Sequence, residues 1–568
     1  MVFTWLVFLS VFQLTEGLNS SKEDIVDEEI SHVEEVHKSR TLLFILVVTG
    51  ICILTMNISK RFLKYFVIPQ SIISIMVGGT IGLILRFVKV SSTEIEAFPP
   101  TLFFLIILPP IIFDSGYNLN KENFFSNLGS IATFAVIGTS ISTLIIGYGI
   151  YFGGRYELIY RVSIYESFAF ASLISAIDPI ATLTIFEALK IDKLLYMLVF
   201  GESILNDAVS IVLTASVTKI HQSHQDENEG YVFLKIILEF FLSFIGSSTI
   251  GLISGLLSAL LLKCYNLRRS QVNEIGIVCI FAYAPYCLAE ALNLSGIMTI
   301  LFAGITMSHY THKNLSLISQ ICVHETFKTL AYLSETCMFA YLGLAIFSFE
   351  HILDLKFVSM ILFLCLVGRA LNIFPLAMIL NRFRSHKIPF RHQFLMWFSG
   401  LRGAIAFALC LQLDQLSNSK TRKMLVTTTL IVTLGSILVL GGSTKPLISL
   451  IEYFEKRKSE GLYQRMSQNE SDEINNIKSA SCIEFKEFPF EGINIQKIGL
   501  SKSSALKNEA ITDDECPIDC KPAPIPLRGF SRIDRDYLMP FFIKKISEQE
   551  LNNERNLIND LTNEHFSL

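Results

Sequence analysis

Between residues 41 and 450 the chain alternates long apolar runs with short polar joints, and most charged positions fall in the joints. A helix needs about 20 apolar residues to cross a bilayer. The runs lie at roughly 41–58, 65–88, 101–115, 126–152, 164–188, 194–219, 232–262, 272–291, 293–309, 324–349, 355–381, 392–412 and 422–450. In lipid, backbone groups must be satisfied within the segment, and these runs are too long for strands. The pattern predicts an all-α polytopic membrane protein of about 13 transmembrane helices. Lys60, Arg61 and Lys64 follow the first run, Lys263, Arg268 and Arg269 the seventh, and Arg382, Arg384, Lys387 and Arg391 the eleventh. Basic residues in short loops mark the cytosolic side, which puts the N-terminus outside and the C-terminus inside. Lys420, Arg422, Lys423, Arg155 and Arg161 run against this rule.

The informative positions are the polar ones that break the pattern. The sixth run carries Glu202, Ser203, Asn206 and Asp207 at its centre. A carboxylate at bilayer depth costs about 2.5–3.5 kcal/mol on the lenient insertion scale, so one is kept where it meets a cavity, a partner or an ion path. At helical spacing Ser203, Asp207 and Ser210 share one face, and Glu202 and Asn206 the neighbouring face. The fifth run contains Asp178 directly before Pro179, which cannot continue a regular helix. A break at mid-membrane with an acid beside it is a hallmark of ion sites in secondary transporters. In the twelfth run Gly400 and Gly403 weaken the helix around Arg402, and the eleventh adds Arg369. Each arginine needs a buried partner, and Asp178, Glu202 and Asp207 are the central acids. Asp114, Glu290 and Glu335 lie in other runs as accessory or pore-mouth acids.

If the arginines take one acid each, one carboxylate remains. Asp207, on the serine-bearing face, is the choice, because Glu202 is long enough to reach an arginine on a neighbouring helix. A lone buried carboxylate is relieved by a proton or by a small monovalent cation and hardly by both at once. Competition between a proton and such a cation at Asp207 is then itself an exchange mechanism. His309, His312 and His324 sit near the cytosolic ends of the ninth and tenth runs and read as interfacial.

Composition agrees with a membrane protein: of 568 residues 51% are hydrophobic and only 17% charged, and the net charge of −4 is dispersed, which excludes nucleic acid as a partner. The 11 cysteines lie mostly within the runs, where thiols act as small hydrophobes. Cys516 and Cys520 form a spaced pair in the tail without further metal ligands nearby. Residues 1–17 read as a signal peptide, 18–40 as an acidic luminal or extracellular leader bearing a sequon at Asn19, 41–450 as the transmembrane domain and 451–568 as a largely disordered cytosolic regulatory tail, with a helix near 547–561. No cofactor is expected. No histidine lies deep in a run near Ser203, which argues against a membrane-embedded hydrolase. The alternative is a cation channel or an ion sensor signalling through its tail.

Seven motifs in order resemble the eukaryotic sodium/proton exchangers of the solute carrier 9 family, within the cation/proton antiporter superfamily. They are Leu105–Asp114, Ser175–Pro179, Phe200–Asp207, Asn293–Ile297, Ser334–Thr336, Gly368–Leu371 and Gly400–Ala404. The resemblance implies an inverted-repeat fold with a dimerisation lobe, an ion-carrying core lobe and two crossed broken helices in the fifth and twelfth spans, working as a homodimer. It implies Asp207 as the ion-binding acid beside Asn206, Asp178 and Ser203 shaping the site, Glu202 paired with Arg369, and Arg402 offsetting charge at the crossing. An Asn-Asp pair goes with electroneutral exchange in that family, of Na⁺, with K⁺ or Li⁺ as further candidate cations, against H⁺. The segment Ile533–Lys545 resembles the tail of its Golgi, endosomal and apical-membrane subtype, which implies that location and a role in regulating pH and cation balance, with cytosolic regulators on the tail.

Overall fold

The computed structural model describes residues 26–62, 69–88, 103–119, 121–178, 182–183, 185–186, 191–223, 229–265, 267–384, 387–400, 402–415, 419–444, 446–448, 450 and 534–544. The signal-peptide run, the Asn19 sequon, Pro179, the Cys516–Cys520 pair and the helix expected near 547–561 lie outside the described residues. Two units divide the chain: Met1–Thr444 with Met539–Leu568, and Lys445–Leu538. Within the second, Asp534–Leu538 form a π-turn.

The described membrane unit is helical. Its elements are α1 (Val26–Phe62), α2 (Gln70–Val88), α3 (Phe103–Tyr117), α4 (Phe124–Arg155) and α5 (Ile164–Ile174). Next come α6 (Lys193–Ser223), α7 (Glu229–Cys264) and α8 (Gln271–Ala291). The helix α9 runs as Gly296–Thr306, a π-turn Met307–Thr311 and a last turn His312–Asn314. Then follow α10 (Leu317–Ser348), α11 (Leu355–Phe383), α12 (Phe390–Phe398), α13 (Ala404–Leu411) and α14 (Lys420–Thr444). The short α15 (Met539–Phe542) closes the set. Among the described residues, nine helices are long and apolar enough to cross a membrane, and α3 and α5 are shorter apolar helices. Helix α1 runs unbroken from Val26, so the charged stretch joins the first span without a break. Glu is a good helix former, which favours this continuation.

Local chemistry sets the breaks. At the start of α5, Ser163 Oγ accepts from the Glu166 amide (3.2 Å) while the Ser163 amide donates to Glu166 Oε2 (2.9 Å), a reciprocal cap. The helix ends at Ile174, Ser175 caps it with helical torsions, and Ala176–Asp178 leave the helix just before Pro179, whose ring disfavours a helical residue ahead of it. Span 12 breaks likewise: α12 stops at Phe398 and α13 restarts after an extended Gly403.

Two groups of helices pack as lobes. In one, α2 lies along α10, with α1, α3, α7, α8 and α9 around them; in the other, α4, α5, α6, α11, α12, α13 and α14 pack together. Helix α6 is the pivot of the second, with 89% of its apolar window buried against 17% for α7, which α6 also touches. The α2–α10 crossing depends on absent side chains: a Cβ on Gly78 would strike the Ala340 carbonyl, and one on Gly343 the Ile75 carbonyl. Gly78→Ala should therefore lower stability by about 1–3 kcal/mol in thermal denaturation. Gly50→Ala, where a Cβ meets nothing within 4 Å, should leave it unchanged.

Candidate functional site

The two interrupted spans meet, and their termini bring opposite dipoles face to face. Arg402, between α12 and α13, donates Nη1 to the carbonyls of Ser175 (2.9 Å) and Ala176 (3.4 Å), the loose C-terminal end of α5. Asp178 packs on the start of α13, so tightly that a Cβ on Gly403 would collide with its side chain. A cation thus faces a helix C-terminus and an anion a helix N-terminus, the favourable sense for both. The expectation that each arginine would take a carboxylate applies to one of them. Arg402 is met by carbonyls that the Pro179 break frees from the helix ladder, and partial charges replace a full one.

Arg369 of α11 and Glu202 of α6 form a buried ion pair, with Nη1 on Oε1 and Nη2 on Oε2 at 3.0 Å; Nη2 also reaches the Met396 carbonyl at 2.9 Å. The remaining face of α6 lines the crossing. Ser203 Oγ donates to the Ile177 carbonyl (2.9 Å) and Asn206 Nδ2 to the Ser175 carbonyl (3.3 Å). Asn206 Oδ1 accepts from Thr139 (2.6 Å) and Ser210 (3.4 Å). Asp207 lies close to the backbone at Ile177 and to the Asp178 carboxylate. Its Oδ1 is buried and has no hydrogen-bond partner among the described residues. Such an orphaned acceptor is costly unless a proton or cation meets it. Asp178, Ser203, Asn206 and Asp207 thus come together with Arg402 in one place.

The accessory acids divide. Glu335 of α10 lies near enough to Asp178 and Asp114 for their charges to reach it. Asp114 of α3 takes a hydrogen bond from Asn118 (2.6 Å), whose Oδ1 in turn meets His324 Nδ1 (2.6 Å). Glu290 is elsewhere employed: at the end of α8 it accepts from the Gly296 amide (3.0 Å), fixing the start of α9. Sequence reasoning missed Thr139 and Ser436. Thr139 directly follows a π-turn in α4, and Ser436 opens another in α14, where it accepts from the Arg402 amide (3.0 Å). A π-turn shifts side chains off the regular helical stripe, so spacing alone could not aim them. The polar run Gly138–Ser142 within an apolar span was the available signal.

A family model described as the transmembrane part of sodium/hydrogen exchangers matches residues 45–450. The chain belongs to the sodium/hydrogen exchanger family. It is 43% identical over 544 residues to sodium/hydrogen exchanger 8 of Rattus norvegicus, covering 95% of this chain and 90% of that protein. It is 38% identical over 419 residues to sodium/hydrogen exchanger 1 of Dictyostelium discoideum, covering 73% and 60%. The exchanger fold is shared with the sodium proton antiporter MjNhaP1 of Methanocaldococcus jannaschii, at a TM-score of 0.55 and 17% identity over 72% of this chain and 98% of that one.

Proposed function

We propose that this chain exchanges Na⁺ for H⁺, with the Asp207 carboxylate binding each in turn and the core lobe carrying it past the scaffold formed by α1–α3 and α7–α10. The observation that carries the reading is the buried Asp207 Oδ1, without a hydrogen-bond partner among the described residues, at the crossing of two interrupted helices. Asn206 and Ser203 hold α6 to the unwound carbonyls, and Asp178 and Arg402 balance the helix ends. The identity to sodium/hydrogen exchangers supports sodium as the cation; K⁺ and Li⁺ fit the same oxygen chemistry.

One proton leaves for each monovalent cation that enters, because the partner of Asp207 along α6 is the neutral Asn206. The cycle is then electroneutral. A net charge per cycle would be worth about 2.3 kcal/mol per 100 mV, so an imposed potential is a sharp test. In proteoliposomes with Na⁺, K⁺ or Li⁺ outside and a pH probe inside, we expect Na⁺-driven proton flux to be unmoved by voltage. A strongly voltage-dependent flux overturns electroneutrality, and unitary conductance steps in a bilayer recording would favour a channel instead.

The assembly is a homodimer joined through the scaffold lobe, as the family resemblance implies. The tail lies in the cytosol: α15 sits at the basic end of α7, beside Lys263. High identity to sodium/hydrogen exchanger 8 proteins and the Ile533–Lys545 motif support a Golgi, endosomal or apical membrane as the location.

A further inference from the structure

The short helix α15 is docked on the membrane unit. Lys263, in the last turn of α7, donates Nζ to the carbonyls of Pro540 (3.0 Å) and Phe541 (2.6 Å), and lies 5.9 Å from the Phe541 ring centre. Phe542 is 8% exposed, with its ring 5.4 Å from that of Tyr310 on α9. Asn314, the last residue of α9, is 3% exposed. Its Nδ2 donates to the carbonyls of Phe542 and Ala259, both at 2.9 Å, and its Oδ1 accepts from the Lys544 amide at 2.9 Å.

The amide of Asn314 therefore has both hydrogens and its oxygen occupied, and two of the three bonds go to this segment. Without the segment, a buried donor and a buried acceptor would be left bare. The socket reads backbone two residues apart, as a neighbouring strand would, while the Phe542 ring supplies the apolar anchor. It also stands behind Asp114. Ser308 on the same π-turn binds the Tyr117 carbonyl, His312 shares a 2.9 Å hydrogen bond with the Tyr117 hydroxyl, and Asn118 next to it holds Asp114.

We propose that Met539–Lys544 is an internal ligand of the transport unit, a latch that ties α7 to α9 at this end, and that fast exchange requires the latch to be seated. The inference rests on the exchange reading only for its effect on rate. A core lobe that slides needs a scaffold that does not yield, and the latch joins two scaffold helices at the end nearest Asp114. Release should loosen the α9 turn and slow the cycle.

The test uses the full chain with Phe542→Ala, a change at the segment that leaves the spans intact. By hydrogen–deuterium exchange, the Lys544 amide should be protected in the wild type and exposed in the variant. A fluorescein-labelled peptide of residues 536–547 should bind the Phe542→Ala chain and not the wild type, whose socket is filled; adding Asn314→Leu should abolish the binding. Na⁺-driven proton flux in proteoliposomes should fall severalfold in Phe542→Ala and recover when the peptide is added, a rescue that a simple folding defect would not show. An unprotected Lys544 amide in the wild type, or a peptide that binds neither chain, overturns the docking. Docking with unchanged flux overturns the control of rate. Docking in a wild-type chain that exchanges no Na⁺ for H⁺ overturns the exchange reading and leaves the docked latch standing.

Discussion

Asp207→Asn should bring Na⁺-driven proton flux in proteoliposomes below about one-hundredth of wild type, with folding intact. The replacement keeps the shape of the side chain, so the junction of α6 with the unwound end of α5, held by Ser203 and Asn206, stays in place. What disappears is the exchangeable charge: an amide neither yields a proton at cellular pH nor neutralises a cation. Because the substitution removes a buried acid with a bare Oδ1, the melting temperature should hold or rise. Asp207→Glu retains the charge but adds a methylene in a packed site, and should shift the apparent sodium affinity or stop transport. Wild-type flux in Asp207→Asn would move the ion site elsewhere.

How much of this the sequence revealed depends on the physics behind each feature. The inward burial of Glu202, Asn206 and Asp207 was legible, because a charge in lipid is expensive and the stripe on α6 had nowhere else to face. The interruptions were legible from Pro179, Gly400 and Gly403, since backbone limits are local. The partners of Arg402 were not. They are carbonyls of Ser175 and Ala176, groups every residue carries, which become acceptors only because the break lies against the twelfth span. Thr139 and Ser436 escaped because π-turns rotate them off the regular stripe. The docking of Phe542 was invisible for another reason: Met539–Lys544 has no periodic apolar face, and its recognition runs through main-chain atoms read by Asn314. Glu290 shows the converse, an acid in a membrane span whose hydrogen bond is a local cap on α9.

The Glu202–Arg369 pair sets the second large effect. Both side chains are nearly inaccessible, at 3% and 4% exposure, and the guanidinium also holds the Met396 carbonyl near the end of α12. The pair therefore joins α6, α11 and α12 around the crossing. Removing one partner leaves the other charge buried alone, which costs about 3–5 kcal/mol. Glu202→Gln and Arg369→Met should each lower the thermal denaturation midpoint sharply. The double variant Glu202→Met with Arg369→Met removes both charges and their desolvation together, and should be more stable than either single change. If the pair is framework, the double variant regains sodium-driven flux that still depends on Asp207, although slower, because the guanidinium no longer holds Met396. If Glu202→Gln instead keeps full stability and loses transport, Glu202 belongs to the ion path itself, and Asp207 would share the proton rather than carry it alone.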